Sequence, residues 1–235
     1  MSNIEYIGNE LELFKYARNW KSYYSKAIEG FIKGDVCEVG AGLGGTTTAL
    51  INANTNSWLA IEPDAELANQ IETEIIGNPF AQKVTVLHGT LDDVQDDILF
   101  DTILYIDVIE HIEHDLLEFQ NAIKKLKKGG HLIILVPAFN WLYNEFDKNI
   151  GHYRRYNKEM LNNLAIGTEV TKVKMDYYDS LGLFASVVNK LFLKKPVPSP
   201  ENIRLWDKNL IPLSKIIDPV ILRLFGKSLI GIWKK

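Results

Sequence analysis

One cysteine, Cys37, in a chain of 235 residues leaves nothing to pair with, so no disulfide framework exists. It lies in an apolar run, where it reads as a small core residue in a protein of a reducing, cytoplasmic compartment. Long apolar runs are also missing, and nothing approaches the roughly 20 residues that span a bilayer. Glu5, Glu10 and Glu12 interrupt any signal-peptide core at the N-terminus. No charge of one sign dominates: 26 Lys and Arg against 30 Asp and Glu give a net charge of −4, which offers nucleic acid no global attraction. Repeats and low-complexity tracts are absent. The remainder, 46% hydrophobic and 24% charged, is ordinary for a globular protein, and the length suits one large α/β domain.

What the chain does have is a glycine-crowded stretch, Asp35–Leu50. Val36, Cys37 and Val39 form a β-prone run, Gly40, Ala41, Gly42, Gly44 and Gly45 make a turn, and Thr46–Leu50 begins an apolar-periodic helix. Glycines there permit positive φ and let a ligand approach the backbone, while the helix start suits an anionic group. A nucleotide-like cofactor over the turn is therefore predicted. Gly40, Gly42 and Gly45 fit G-x-G-x-x-G, the dinucleotide fingerprint, with Glu62 about 20 residues on as a ribose acceptor. Glu38 separates two cofactor classes. An acid just before the turn repels a pyrophosphate but attracts a cofactor carrying an ammonium and a sulfonium.

Glu38, Gly40, Gly42 and Gly44 together resemble the E-x-G-x-G-x-G pattern of class I S-adenosylmethionine (SAM) methyltransferases. Asp107-Val-Ile-Glu-His-Ile112 resembles the D-V-[IL]-E-H-[ILV] stretch of the same family, and Leu126–Leu132 its L-K-P-G-G-x-L stretch. The resemblance implies a Rossmann-like, doubly wound α/β sheet of seven strands in the order 3-2-1-4-5-7-6. The last strand would be antiparallel, with a helical cap and a helical lid over residues 10–32. Trp20, Tyr23 and Tyr24 of the lid would stack on adenine or close the pocket, unless they are ordinary core. Strands are expected over Trp58–Ile61, Val84–Leu87, Phe100–Ile106, His131–Val136, Val170–Tyr178 and Leu229–Trp233. Glu62 would take the ribose hydroxyls, Pro63 would open the next helix, and Asp64 would sit in its first turn. Thr90-Leu91 occupies the adenine-reading position, where the family commonly has Asp, so only the backbone contact of Leu91 carries over fully. Asp107 and the Ile106 carbonyl would receive the cofactor's ammonium, and His111 would be a general base. No metal is assigned. The alternative is a divalent ion on Asp107, Glu110 and His111, completed by His114 or His152, as in the E-x-x-E-H clusters of some small-RNA and ubiquinone-pathway methyltransferases.

Pro137–Tyr156 is a long connection without regular pattern and should border the acceptor pocket. Its end, Gly151-His-Tyr-Arg-Arg-Tyr156, resembles a G-H-Y-R-R-Y signature of a bacterial subgroup from glycan and lipid-linked sugar pathways. Tyr143, His152, Arg154 and Arg155 are the substrate-side candidates, with His152 a second base and the arginines suited to phosphate or carboxylate. Against that, at least one arginine is expected to pair with Asp147 or Glu145 and pin the loop. Residues 181–227 read as an insertion of amphipathic helices, Leu183–Phe192 and Leu210–Phe225, broken at Pro196, Pro198 and Pro200. Lys190–Lys235 carries a net charge of about +7, so peripheral contact with a membrane or a lipid-linked acceptor competes with a plain helical cap. The expected function is methyl transfer from SAM to an oxygen or nitrogen of a small polar, anionic or glycan/lipid-linked acceptor, with S-adenosylhomocysteine as product and no nucleic-acid partner. The alternatives are an NAD(P)-dependent oxidoreductase and a non-catalytic SAM- or glycan-binding protein.

Overall fold

The structure, a computed structural model, describes residues 10–193 and 199–235. Seven strands make one sheet: β1 Gly34–Val39, β2 Thr55–Glu62, β3 Val84–His88, β4 Phe100–Ile106, β5 Leu126–Pro137, β6 Thr171–Tyr178 and β7 Ser228–Lys234. The order is β3-β2-β1-β4-β5-β7-β6, as predicted. β1 to β5 are parallel, and β7 runs antiparallel to both β5 and β6. Successive residues of the central strands point to opposite faces. Val36, Leu104, Ile133 and Leu135 enter one core, while Cys37, Ile103, Tyr105 and Ile134 enter the other. All eight are fully buried because helices cover both faces, which is why these strands read as unbroken apolar runs.

The helices are α1 Glu10–Phe14, α2 Arg18–Ile28, α3 Gly45–Leu50, α4 Ala65–Glu74, α5 Asp115–Lys125, α6 Glu145–Asn149, α7 Lys158–Asn163, α8 Ser180–Val188, α9 Pro200–Leu205 and α10 Ile211–Val220. Leu50 of α3, Ile71 of α4 and Ile211 of α10 join α2 on the first face; Phe119 of α5 and Leu161 of α7 cover the second.

Three expectations need correction. Asp64, not Pro63, opens α4: its carboxylate caps the helix by accepting the Glu66 and Leu67 amides at 2.8 and 3.0 Å. β5 starts at Leu126 instead of His131. The Gly129 amide donates to the Lys235 carbonyl, and a Cβ on Gly130 would meet two carbonyl oxygens at 2.9 and 3.0 Å, so the glycine pair continues the ladder beside β7. The connection from Pro137 to Tyr156 is ordered by a short turn at Asn140–Leu142 and by α6, which the sequence hides because Asn144 and Asp147 cap it through side chains. In the 181–227 insertion, Pro200 is the first residue of α9; Pro196 and Pro198 lie outside the described residues, as does Glu5.

The reversed β7 sets where the insertion rejoins the sheet. Its first residue, Ser228, pairs with the last of β5, Pro137. The insertion therefore returns at the edge where the parallel strands end, which is where open α/β sheets bind ligands.

Candidate functional site

A cavity of about 930 Å³ opens over that edge, at the upper end of the usual range for small-molecule sites. Of the residues singled out from sequence, Trp20, Gly40, Ala41, Gly42, Ile106 and Asp107 line it from the glycine-turn side. His111, His152 and Arg155 line it from the other side. Glu38, Gly44, Glu62, Pro63, Thr90, Leu91, Tyr143 and Arg154 do not reach its wall.

The turn after β1 needs its glycines. Gly40, Gly42 and Gly44 have φ of +69°, +55° and +79°, and a Cβ on Gly40 would sit 2.6 Å from Val108. Glu38 lies beneath the turn, buried, accepting the Thr47 hydroxyl at 2.5 Å and the Trp58 indole at 3.0 Å. Burial pushes its carboxyl up to about 7 against those hydrogen bonds. Glu62 is tied down too, taking the Gly42 amide at 2.7 Å and the Asp64 amide at 3.0 Å, so it braces the turn across β1 and β2. Thr90 and Asp93 close on each other in a small capping box, and Leu91 is core.

At the end of β4, Asp107 takes a positive φ of 55° while its amide donates to the Leu135 carbonyl. That strained residue turns the chain so that Asp107, Glu110 and His111 all face the cavity. Glu110 is wholly buried, neither of its carboxylate oxygens has a hydrogen bond among the described residues, and burial drives its carboxyl well above the ordinary range. The His111 ring lies edge-on to that of His152 at 4.4 Å, and burial with the neighbouring imidazole lowers His111 to about 4.

α6 presents Asp147 to the last part of the loop. Its carboxylate takes a two-pronged contact from Arg155 at 2.8 and 2.9 Å and lies 2.9 Å from His152 Nδ1. Those hydrogen bonds hold Asp147 below the usual carboxylate range although it is buried. With Nδ1–H donating to Asp147, the His152 ring turns Nε2 toward Glu110 Oε1, 3.9 Å away. The arginine pair belongs mainly to the loop itself. Arg154 donates to the Ile112 and Glu113 carbonyls at 2.7 Å and pairs with Asp115, outside the cavity. Tyr143 is likewise structural, its hydroxyl donating to the His152 carbonyl at 2.6 Å.

Trp20 lies within an aromatic cluster, 5.6 Å from Tyr24 and 6.0 Å from Trp206, so most of its ring is core and only part faces the cavity. The insertion supplies the facing wall through Ser186, Asn189, Asn202, Trp206 and Asn209. Two cations are not among the sequence candidates. Lys21 of α2 lies over the glycine turn, its ammonium 2.5 Å from where a Gly45 Cβ would be. Lys227, just before β7, stands 4.7 Å over the Trp206 ring, with its pKa lowered by burial. Among the described residues Lys227 makes no ion pair within 4 Å; the nearest compensation is the longer-range pull of the buried Asp179 carboxylate. A signal for Lys227 exists: a residue just before a reversed last strand must fall at the ligand edge. Glu110, His111 and His152 bring one ligand atom each within 4.8 Å of one another; Asp107 and His114 are not in that group.

The sheet order, the glycine turn at the end of β1 and the acid at the end of β4 define a Rossmann-like methyltransferase. Residues 12–175 match a family described as a methyltransferase domain, and the chain belongs to that family. A sequence comparison with curated proteins gives no match. Among solved structures, the chain resembles the complex between the Haloferax volcanii Trm112 methyltransferase activator and its methyltransferase, at TM-score 0.67 and 14% identity over 96% of this chain and 94% of that one. It also resembles the N-methyltransferase NodS of Bradyrhizobium japonicum in complex with S-adenosylhomocysteine, at TM-score 0.58 and 12% identity over 94% and 87%. A third likeness is to an O-methyltransferase family 2 protein of Planctomyces limnophilus with apigenin, at TM-score 0.64 and 13% identity over 96% and 61%.

Proposed function

We propose that the protein transfers the methyl group of SAM to an oxygen or nitrogen of a small acceptor carrying an anionic group. The observation that carries this reading is the distribution of charge along the cavity. At the glycine turn, the Lys21 ammonium and the Asp107 carboxylate stand on the same wall and match the carboxylate and ammonium of an amino-acid moiety. The buried Glu38 beneath the turn disfavours a pyrophosphate there, which argues against a nicotinamide dinucleotide. When bound, SAM supplies a methyl on positively charged sulfur. The chain supplies position and a proton acceptor: Asp147 fixes the His152 ring, and His152 Nε2 takes the proton of the attacking hydroxyl or amine. Anion recognition falls to Lys227 at the opposite end, since Arg154 and Arg155 are held by protein acids.

Isothermal titration tests the cofactor: micromolar S-adenosylhomocysteine binding with none of NADH supports the reading, and the reverse removes it. Radiolabelled methyl transfer into fractions of a polar and a lipid extract then tests the acceptor. A binding protein without turnover would take up cofactor and label no fraction.

A second reading rests on Glu110. An unbonded, fully buried carboxylate beside two imidazoles is a donor set for a divalent ion, which would orient the acceptor oxygen. Titration of the cofactor-loaded protein with Mg²⁺, Mn²⁺ and Zn²⁺ decides this; absence of binding by all three ends it.

A further inference from the structure

α10 is amphipathic the wrong way round. Ile211, Ser214 and Asp218 face inward, and two of these three are polar. Asp218 is buried because it is fully used: it accepts the Tyr23 hydroxyl at 2.8 Å and the Asp179 and Ser180 amides at 2.7 and 3.1 Å. Ser214 donates to Asp179 and accepts the Leu181 amide. The outward stripe is Leu213, Ile216 and Val220, spaced to share one helix face, with Ile216 68% and Val220 79% exposed. A helix facing only water would be arranged in the opposite sense.

The turn after α10 repeats the pattern at a conformational cost. Leu222 and Arg223 both take left-handed φ, 53° and 52°, positions that favour glycine. They are held there by the Arg223 amide on the Asp218 carbonyl, the Tyr177 amide on the Arg223 carbonyl, and the guanidinium stacked 4.4 Å over Tyr178. The consequence is that Leu222, Leu224 and Phe225 are turned outward and exposed. Of 19 exposed large apolar residues in the described chain, nine fall in the insertion, which is far from an even spread.

Charge selects the partner. Between Arg204 and Phe225 the acids, Asp207 and Asp218, are buried, whereas Arg204 and Lys208 are exposed and Lys215 is half-exposed. Lys26 of α2 is also exposed and adds its repulsion to the burial that lowers the Lys215 pKa. A second copy related by a two-fold axis would set this basic rim against itself. An aliphatic face rimmed by lysines matches the acyl chains and negative headgroups of an anionic bilayer. No described helix is long and apolar enough to cross a membrane, so contact would be peripheral.

We infer that α10 and the turn to Phe225 form a docking face for an anionic lipid surface. The face lies on the same insertion whose other side walls the cavity, but the inference does not depend on methyl transfer. Co-sedimentation of the full chain with phosphatidylcholine vesicles, with and without 30% phosphatidylglycerol, tests it directly. Binding is expected with the anionic vesicles, weakened by 0.5 M NaCl, and negligible with phosphatidylcholine alone. Ile216→Asp with Val220→Asp should lower the partition at least tenfold, and Lys208→Glu with Lys215→Glu should lower it about fivefold per charge. Because these side chains are on the surface, S-adenosylhomocysteine affinity and Tm should stay at wild-type values; Ile216→Ser serves if the aspartates perturb folding. No pelleting with anionic vesicles, or pelleting indifferent to the apolar variants, overturns the assignment. So does a concentration-dependent dimer in light scattering that Ile216→Asp abolishes, which would give the face to a second copy.

Discussion

The two ends of the cavity treat charge differently. Around the glycine turn the buried acids are bonded by the protein itself, Glu38 to Thr47 and Trp58, Glu62 to two backbone amides. At the far end, Glu110 has both oxygens unbonded among the described residues, and half-buried Lys227 has no carboxylate within 4 Å, Asp179 acting on it only from farther off. A buried polar group without a partner costs free energy, and an ionisable one such as Glu110 costs more than the hydroxyls and ring nitrogens left unbonded elsewhere. The acids beneath the turn are thus satisfied by the fold itself, whereas Glu110 faces the cavity with its carboxylate unbonded. Asp147 joins the two behaviours, because it satisfies Arg155 and still orients the His152 ring at the cavity wall.

The sharpest way to break the comparison is Asp147→Asn. It leaves Arg155 buried without a counter-charge and releases the His152 ring. Loss of one member of a buried pair costs about 3 kcal/mol, or roughly 6–12 °C in Tm for a chain of this size. Turnover should fall by about a hundredfold or more, since a positioned base contributes on that order. Differential scanning calorimetry and single-turnover rates check both numbers. A variant with wild-type turnover would remove His152 from the proton transfer.

Glu38→Gln tests the claim that the turn end is structural. A carboxyl raised from 4.5 to about 7 binds more protons folded than unfolded. Its contribution is therefore fully present below pH 4.5, declines as pH rises, and is gone above about 7. The wild type should lose on the order of 3 kcal/mol between pH 5 and pH 9 from this group, and the glutamine variant should lose none of it. Urea unfolding at pH 5, 7 and 9 reads the difference, and parallel curves for the two proteins would contradict it. Bound cofactor, being positively charged, should flatten the wild-type slope.

At the far end, Lys227→Met keeps the stem over the Trp206 ring and removes the charge. The acceptor KM should rise about tenfold or more with S-adenosylhomocysteine affinity unchanged, and Tm should fall slightly, because buried Asp179 loses the cation that faces it. Steady-state kinetics with the identified acceptor, beside calorimetry, distinguishes this from a structural lysine, which would lower Tm and leave KM alone.

The difference between the ends also explains what can be read from the sequence. The glycine turn, β4 running into Asp107–Ile112 and the strand order follow local patterns: glycine spacing, apolar runs and short motifs. Glu38 and Glu62 are legible as positions, yet their partners are not, because Thr47, Trp58 and the Gly42 amide are chosen by tertiary packing. The far end is assembled from residues distant in sequence. The sequence offers Asp147 and Glu145 as partners for an arginine, but nothing local to Arg155 tells that it, and not Arg154, will be claimed by Asp147 of α6. Nothing local to α10 tells which of its faces turns inward, since Ser214 and Asp218 become core only through Asp179, Ser180 and Tyr23.

Arg154→Lys makes the smallest change and sharpens the boundary of the site. The guanidinium bridges two carbonyls, Ile112 and Glu113, and Asp115, and so ties the G-H-Y-R-R-Y segment to the turn before α5. Lysine keeps the charge but reaches fewer acceptors in one plane. The loss should be about 1 kcal/mol, roughly 2–4 °C, with acceptor KM unchanged, because Arg154 does not line the cavity. An acceptor KM that rises as much as in Lys227→Met, at unaltered Tm, would move Arg154 from the scaffold to the binding surface and shift the boundary between the two ends accordingly.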